Sequence, residues 1–381
     1  MKRNVWFCLV VFLLTWILVL PVVGEEGGEA TVSEKFSDLE SILPEDIAAL
    51  LPDGFFDVSP TAKAEGVRRA SRFSYLIGVI GNLIGLHLSD ALALFAALLG
   101  LLILSALSVR FRVLFKSDIL RSAFTLCSSC AILACVISVQ YGEIQAVMAF
   151  FDRLSALVNG MIPLTGILYA MGGNVSTAVV GNAGLMMFLN LCENFCTVSL
   201  RAAVSICTAL AVCSAFTPSM NFGGITNFVK KIYTFSLGFL MLLLSFSLSV
   251  QTVLTSCADS VAMRGAKMLA GSAIPVVGGS VGDTLKTVSG SVSFLKSTVG
   301  VGGIILIVLL LVPTLLSVLL YRLAFMAAGA CAELLGCDRE NKLLGNFVTI
   351  YGYLLASVCI CSVTFIFLLT LFVRCSVAVG T

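Results

Sequence analysis

The chain has 381 residues, of which 59% are hydrophobic and only 12% charged, where a soluble domain carries about 25% charged residues. The formal net charge is +2, and His87 is the single histidine. This composition excludes an ordinary soluble enzyme domain. With several uninterrupted apolar runs of about 18 residues or more, it predicts an all-α polytopic membrane protein of about six to eight transmembrane helices.

The first element is a signal peptide over residues 1–24. Lys2 and Arg3 form its basic start, Val5 to Leu20 its apolar stretch, and Gly24 a small residue at the cleavage point. An uncleaved anchor helix is the alternative. Residues 25–72 form an acidic leader; eleven acids and only two lysines lie between Glu25 and Gly66. Acidic segments cross membranes more readily than basic ones, so the leader is expected outside the cytoplasm. Within it, Ser37 to Leu51 reads as a short amphipathic helix with Leu39, Ile42, Leu43, Ile47 and Leu50 on one side. The leader is too small for a large core and reads as a docking segment.

A polytopic domain is expected over residues 73–376. Phe73 to Leu88, with Gly78, Gly81, Asn82 and Gly85, reads as a short or re-entrant helix; Gly81 and Gly85 form a small-xxx-small pair. Ala91 to Val109 reads as a separate full span, and Arg110, Arg112 and Lys116 put its end on the cytoplasmic side. Ile119 to Val139 is expected to return outward. Leu185 to Val212 is either one tilted helix or two short ones, because Glu193 and Arg201 interrupt it. Lys230 and Lys231 mark the cytoplasmic side again, and Ile232 to Leu254 leads out. Gly300 to Leu320 comes back, kinked at Pro313. Asp338 to Lys342 reads as a cytoplasmic loop, and Phe347 to Val373 as the last span.

Two of these stretches match each other. Ser138-Val139-Gln140 and Ile162-Pro163-Leu164-Thr165-Gly166 recur as Ser249-Val250-Gln251 and Ile274-Pro275-Val276-Val277-Gly278. Asn227-Phe228-Val229 with Ile232-Tyr233 recurs as Asn346-Phe347-Val348 with Ile350-Tyr351. The reading is a parallel internal repeat, with units at about residues 113–226 and 227–345 and a partial third at 346–373. Each Ser-Val-Gln closes an outward span, and each Ile-Pro-x-x-Gly breaks the chain. Proline lacks an amide donor and glycine permits unusual backbone angles. Irregular backbone survives in a bilayer only inside protein or against water. The breaks are therefore either re-entrant elements beside a pathway or turns at the rim. The candidate pathway and structural residues are Pro163, Gly166, Gly173, Glu193, Arg201, Pro275, Gly278, Gly279 and Asp283.

The run Ile274-Pro275-Val276-Val277-Gly278, Asp283 beyond it, the amphipathic Val281–Lys296 and Val299-Gly300-x-Gly302-Gly303-Ile304-Ile305 resemble the stage III sporulation protein AE family. Met161-Ile162-Pro163-Leu164 and Gly172-Gly173-Asn174-Val175-Ser176-Thr177-Ala178 fit the same family, as does the plan of signal peptide, acidic leader and multi-span body. The resemblance covers about residues 40–375. It implies a role in endospore formation, in the channel-like complex joining mother cell and engulfed forespore. It further implies a mother-cell membrane location, and as partners a separate secretion-type ATPase and ring-forming proteins of the intermembrane space. The family has no established catalytic residues, so none is carried over.

Enzyme chemistry finds no foothold in the residues. Gly278-Gly279-Ser280-Val281-Gly282 matches the G-x-S-x-G pattern, but that mechanism needs a strand–turn–helix elbow and a histidine base. No H-E-x-x-H and no G-x-x-x-x-G-K-[ST] occurs. The fourteen cysteines mostly sit in apolar runs as small hydrophobes; Cys127-x-x-Cys130 and Cys359-x-Cys361 lack the histidines and polar flanks of a zinc site. His87 and Asp90, three apart at a predicted helix end, read either as a pair on one face that titrates together or as an interfacial cap. No cofactor, metal or nucleic acid is expected. The function expected is a non-enzymatic component of a conduit or export gate, and the alternative is a membrane scaffold that orders such a complex without forming a path.

Overall fold

The computed structural model describes residues 36–43, 45–57, 60–111, 118–171, 175–216, 224–242, 245 and 278–374. The signal peptide, Gly173, Gln251 and Pro275 lie outside these residues. Among them there is no strand. A 3-10 turn (Asp38–Ile42) and the helices α1 (Glu45–Ala48) and α2 (Pro60–Ala70) precede the long helices α3 (Phe73–Phe111), α4 (Asp118–Met171) and α5 (Val175–Phe216). A helical segment follows at 224–242, then α6 (Gly278–Leu334) and α7 (Asp338–Arg374). Five stretches among the described residues are long and apolar enough to cross a membrane: Ser74–Leu107, Leu126–Leu164, Asn194–Ser214, Thr298–Leu334 and Asp338–Ile366. The architecture is that of an all-α polytopic membrane protein.

The helices are longer than the sequence divisions. Phe73–Leu88 and Ala91–Val109 form one 39-residue helix. Ile119–Val139 is part of a 54-residue helix, so Ser138-Val139-Gln140 lies mid-helix and the helix does not end there. That helix also runs through Ile162-Pro163-Leu164-Thr165-Gly166, so the first Ile-Pro-x-x-Gly is not a break. One lost backbone hydrogen bond is a local cost, whereas ending the helix in an apolar setting would strand several carbonyls. For the same reason α6 continues through Pro313, and α5 is one helix carrying both Glu193 and Arg201. At about 1.5 Å per residue, α4 and α6 are each roughly 80 Å long, well beyond a hydrocarbon core of about 30 Å.

Asp338 to Lys342 is the first turn of α7 and not a loop. The actual connection is Leu335-Gly336-Cys337. Gly336 adopts φ +74, and Cys337 N–H bonds Ala332 C=O at 2.8 Å while Gly336 N–H bonds Glu333 C=O at 3.1 Å. This pair of bonds is a Schellman cap, which needs a left-handed residue and so favours glycine. It folds α7 straight back along α6.

α6 and α7 form the most extensive pair and the centre of the bundle. α4 and α5 pack on each other; α5 also packs on α7, and α3 lies against α6 and α4. Ser105 Oγ, late in α3, donates to Glu340 Oε1 at the start of α7 at 2.8 Å. The segment 224–242 runs parallel to α7: Tyr233 hydrogen-bonds Ser357, and Thr364 Oγ1 donates to Met241 Sδ at 2.8 Å. Its outer side exposes Phe228, Ile232, Phe235, Phe239 and Leu242. The outer side of α3 likewise exposes Ile77, Leu86, Leu92 and Leu104, an apolar exterior suited to lipid.

The leader docks on the bundle. In place of the single amphipathic helix expected over Ser37–Leu51, the chain folds as the 3-10 turn and the one-turn α1, with Leu39, Leu43 and Ile47 buried. Phe36 packs on Phe55 and Phe56 at centroid distances of 5.9 and 5.8 Å. Its ring lies over Gly302 of α6, where a Cβ would meet Phe36 Cζ at 2.7 Å and Val67 Cγ2 at 3.5 Å. Tyr75 of α3 donates to the carbonyl of Leu50 and ties the leader to the first long helix.

Candidate functional site

Each long helix brings a polar side chain to a similar level, near the middle of its apolar stretch. On α4, Gln140 and Glu143 are one turn apart, so they share a face. Gln140 is 2% exposed, and its Nε2 donates to Thr208 Oγ1 of α5 at 2.7 Å. Thr208 in turn donates to the carbonyl of Val204 at 2.8 Å. The Oε1 of Gln140 is buried without a partner among the described residues. Glu143 reaches α6, where Ser317 Oγ lies 2.8 Å from both carboxyl oxygens. No described lysine or arginine forms an ion pair with Glu143.

Ser317 sits one turn after Pro313, and Tyr321 one turn after Ser317. Tyr351 of α7 is fully buried against Phe325 (5.0 Å between centroids) and Tyr321 (6.4 Å), and its hydroxyl has no hydrogen-bond partner among the described residues. On α3, the sequence passes through His87 and Asp90 as one continuous helix. His87 and Asp90 therefore do not cap a helix end. They sit near the middle of the continuous α3, with Asp90 exposed. Ionisable groups in apolar membrane helices are costly to place and are usually functional.

A second polar locus joins α5, α7 and the segment 224–242. Tyr233 and Ser357 are bonded, the rings of Tyr233 and Tyr353 are 5.4 Å apart, and the thiols of Cys361 and Cys196 approach to 3.5 Å. Among the described residues no group of three or more His, Cys, Asp or Glu is gathered as a metal would require.

The residues singled out from sequence that are described fall in three of the long helices. Pro163 is exposed inside α4, with Gly166 one turn on in the same helix. Glu193 and Arg201 both belong to α5, and Arg201 is exposed. Gly278 and Gly279 open α6, and Asp283 lies in its second turn. The signal missed was in plain view: Gln140 and Glu143 fall at i, i+3 inside an apolar run.

Residues 67–377 match the family model described as stage III sporulation protein AE. Among characterised relatives, stage III sporulation protein AE of Bacillus subtilis (strain 168) is 22% identical over 222 residues, which is 58% of this chain and 56% of that protein. The chain thus aligns with little more than half the length of that relative. No solved structure matches.

Proposed function

This chain belongs to the stage III sporulation protein AE family, and from that premise we propose that it is a membrane component of a sporulation-specific conduit or export complex between mother cell and forespore. It works there as a multi-pass protein of the mother-cell membrane around the forespore. A separate secretion-type ATPase and ring-forming proteins of the intermembrane space are its partners. It carries out no bond chemistry of its own.

The observation that supports a transport part over a purely anchoring one is Glu143. An anchor gains nothing from an acid held at mid-helix against a lone serine hydroxyl. Proteins that move solutes or ions keep such groups despite their cost. The alternative, a scaffold, draws its support from the docked leader, a rigid surface on which other components could assemble.

Flux of solutes or ions into liposomes holding the purified full chain, with and without the ATPase, separates the two. The transport reading expects flux that Glu143→Gln abolishes, together with loss of spore formation in cells carrying that variant. Normal sporulation with Glu143→Gln, and no flux, would leave the scaffold standing.

A further inference from the structure

We propose that Arg68, Arg69 and Arg72 form a binding surface for the headgroups of anionic phospholipids, in the leaflet where α3 enters the membrane. The proposal rests on the membrane-spanning architecture alone. It holds whether the chain is part of a conduit or a scaffold.

Depth comes first. Arg72 lies two residues before Ser74, where the apolar stretch of α3 begins. The outer side of α3 is apolar from Ile77 onward, so its lipid-facing surface starts within two turns of Arg72. A second helix fixes α2 at the same end of the bundle. A Cβ on Gly302 would lie 3.5 Å from Val67 Cγ2, and Gly302 is four residues into the apolar stretch of α6 that starts at Thr298. Tyr75, in the first turn of α3, holds the carbonyl of Leu50 there too. Two spans thus set the last turn of α2 where hydrocarbon gives way to headgroups.

Direction and charge follow from the helix. Val67 and Ala70 are buried against the bundle, while Arg68, Arg69 and Arg72 stand on the exposed side. From Pro60 to Arg72 the chain carries four bases and one acid, Glu65. The other described acids of the leader, from Asp38 to Asp57, all precede α2. Glu65 accepts from Arg69 at 2.8 Å, whereas Arg68 and Arg72 form no salt bridge among the described residues. A planar guanidinium engages two phosphate oxygens at once. Its attraction to an anionic surface fades within a Debye length, so only bases held at the interface benefit. An acidic protein could meet the same three side chains, but the apolar entry of α3 beside them already brings lipid phosphates into reach. Glu65 is then a competitor that occupies Arg69. Removing its charge must strengthen lipid binding, whereas a purely structural role for the ion pair predicts the opposite sign.

The test titrates phosphatidylglycerol, or phosphatidylcholine, into the purified full chain in neutral detergent and reads each bound lipid by native mass spectrometry. The proposal expects tighter binding of phosphatidylglycerol, weakened by salt. Arg68→Gln and Arg72→Gln should each lower that preference roughly fivefold, the scale of one basic side chain at an anionic surface. Arg68→Lys combined with Arg72→Lys keeps the charge and should retain most of the preference. Glu65→Gln should raise it. Should the glutamine variants fail to fold, the sign of the Glu65→Gln effect decides, and weaker lipid binding there overturns the proposal. A preference unchanged in both arginine variants overturns it as well. Displacement of the lipid by an equal concentration of inorganic phosphate overturns the lipid surface in favour of a free-anion site. Equal binding of the two lipids, with spore formation lost in the arginine variants, overturns it in favour of an acidic protein partner.

Discussion

Replacing Gly302 with alanine would place a methyl carbon 2.7 Å from Cζ and 3.3 Å from Cε2 of Phe36. Carbon atoms rest at about 3.5–4.0 Å, so the ring must retreat by roughly 1 Å. It has nowhere easy to go, because Phe55 and Phe56 stand behind it at 5.9 and 5.8 Å. Overpacking of this kind costs about 1–3 kcal/mol. Alanine in mid-helix returns about 1 kcal/mol through its better propensity. The net expectation is a loss of about 0–2 kcal/mol, concentrated in the leader, and a clearly larger loss for Gly302→Val. The assay is thermal unfolding of the full chain in nanodiscs, paired with limited trypsin digestion at Arg68, Arg69 and Arg72. Faster cleavage there, with the spans still protected, is the expected outcome. Phe36→Leu should relieve the alanine variant, giving a favourable coupling energy in a double-mutant cycle. If Gly302→Val leaves cleavage and melting unchanged, the leader does not pack as described and the reasoning fails.

Three further outcomes follow from other contacts. Thr208→Val strands the buried amide of Gln140 and should cost about 1–3 kcal/mol, whereas Gln140→Met in the same background removes the stranded group and should recover most of it in a melting assay. Gly336→Ala forces a side chain into the left-handed turn between α6 and α7 and should lower stability by about 1–2 kcal/mol by the same measurement. Arg69 donates to Glu65 at 2.8 Å in the leader and holds its carboxyl below the usual range. The folded pKa is depressed, so the pair's contribution is present above the unfolded carboxylate range and is lost as pH falls through the folded value; because Glu65 is exposed, Glu65→Gln should remove only a small acid-side slope, and one that salt suppresses.

Composition and apolar runs carry the architecture, because only helices and closed barrels satisfy a backbone in lipid and this chain lacks the alternation of a barrel. Helix ends were harder to read. Ser89-Asp90 and Pro163 would end helices in water, where a freed carbonyl finds a solvent partner. In an apolar setting the helix is cheaper to continue, so α3 and α4 pass through both points. The polar layer was hidden for a different reason. Gln140 and Glu143 share one apolar stretch of α4, but their partners Thr208 and Ser317 come from α5 and α6, far along the sequence. Tyr351 could not have been found from its own neighbourhood. Its buried, unpartnered hydroxyl depends on Tyr321 and Phe325 of the preceding helix, a pairing that only the Gly336 turn brings about.

The leader's place on α6 also sets an order of events during synthesis. Phe36 leaves the ribosome early, and the Gly302 surface that receives it emerges only after most of the chain has been made. At roughly 5–20 residues per second, the wait is on the order of tens of seconds. The hairpin of α6 and α7, by contrast, closes between neighbours in sequence as soon as α7 appears. The bundle therefore gathers its centre last, and the oldest described segment is the one that seals it. A chain stopped before α6 would leave three phenylalanines without a seat, a feature by which quality control could recognise unfinished copies.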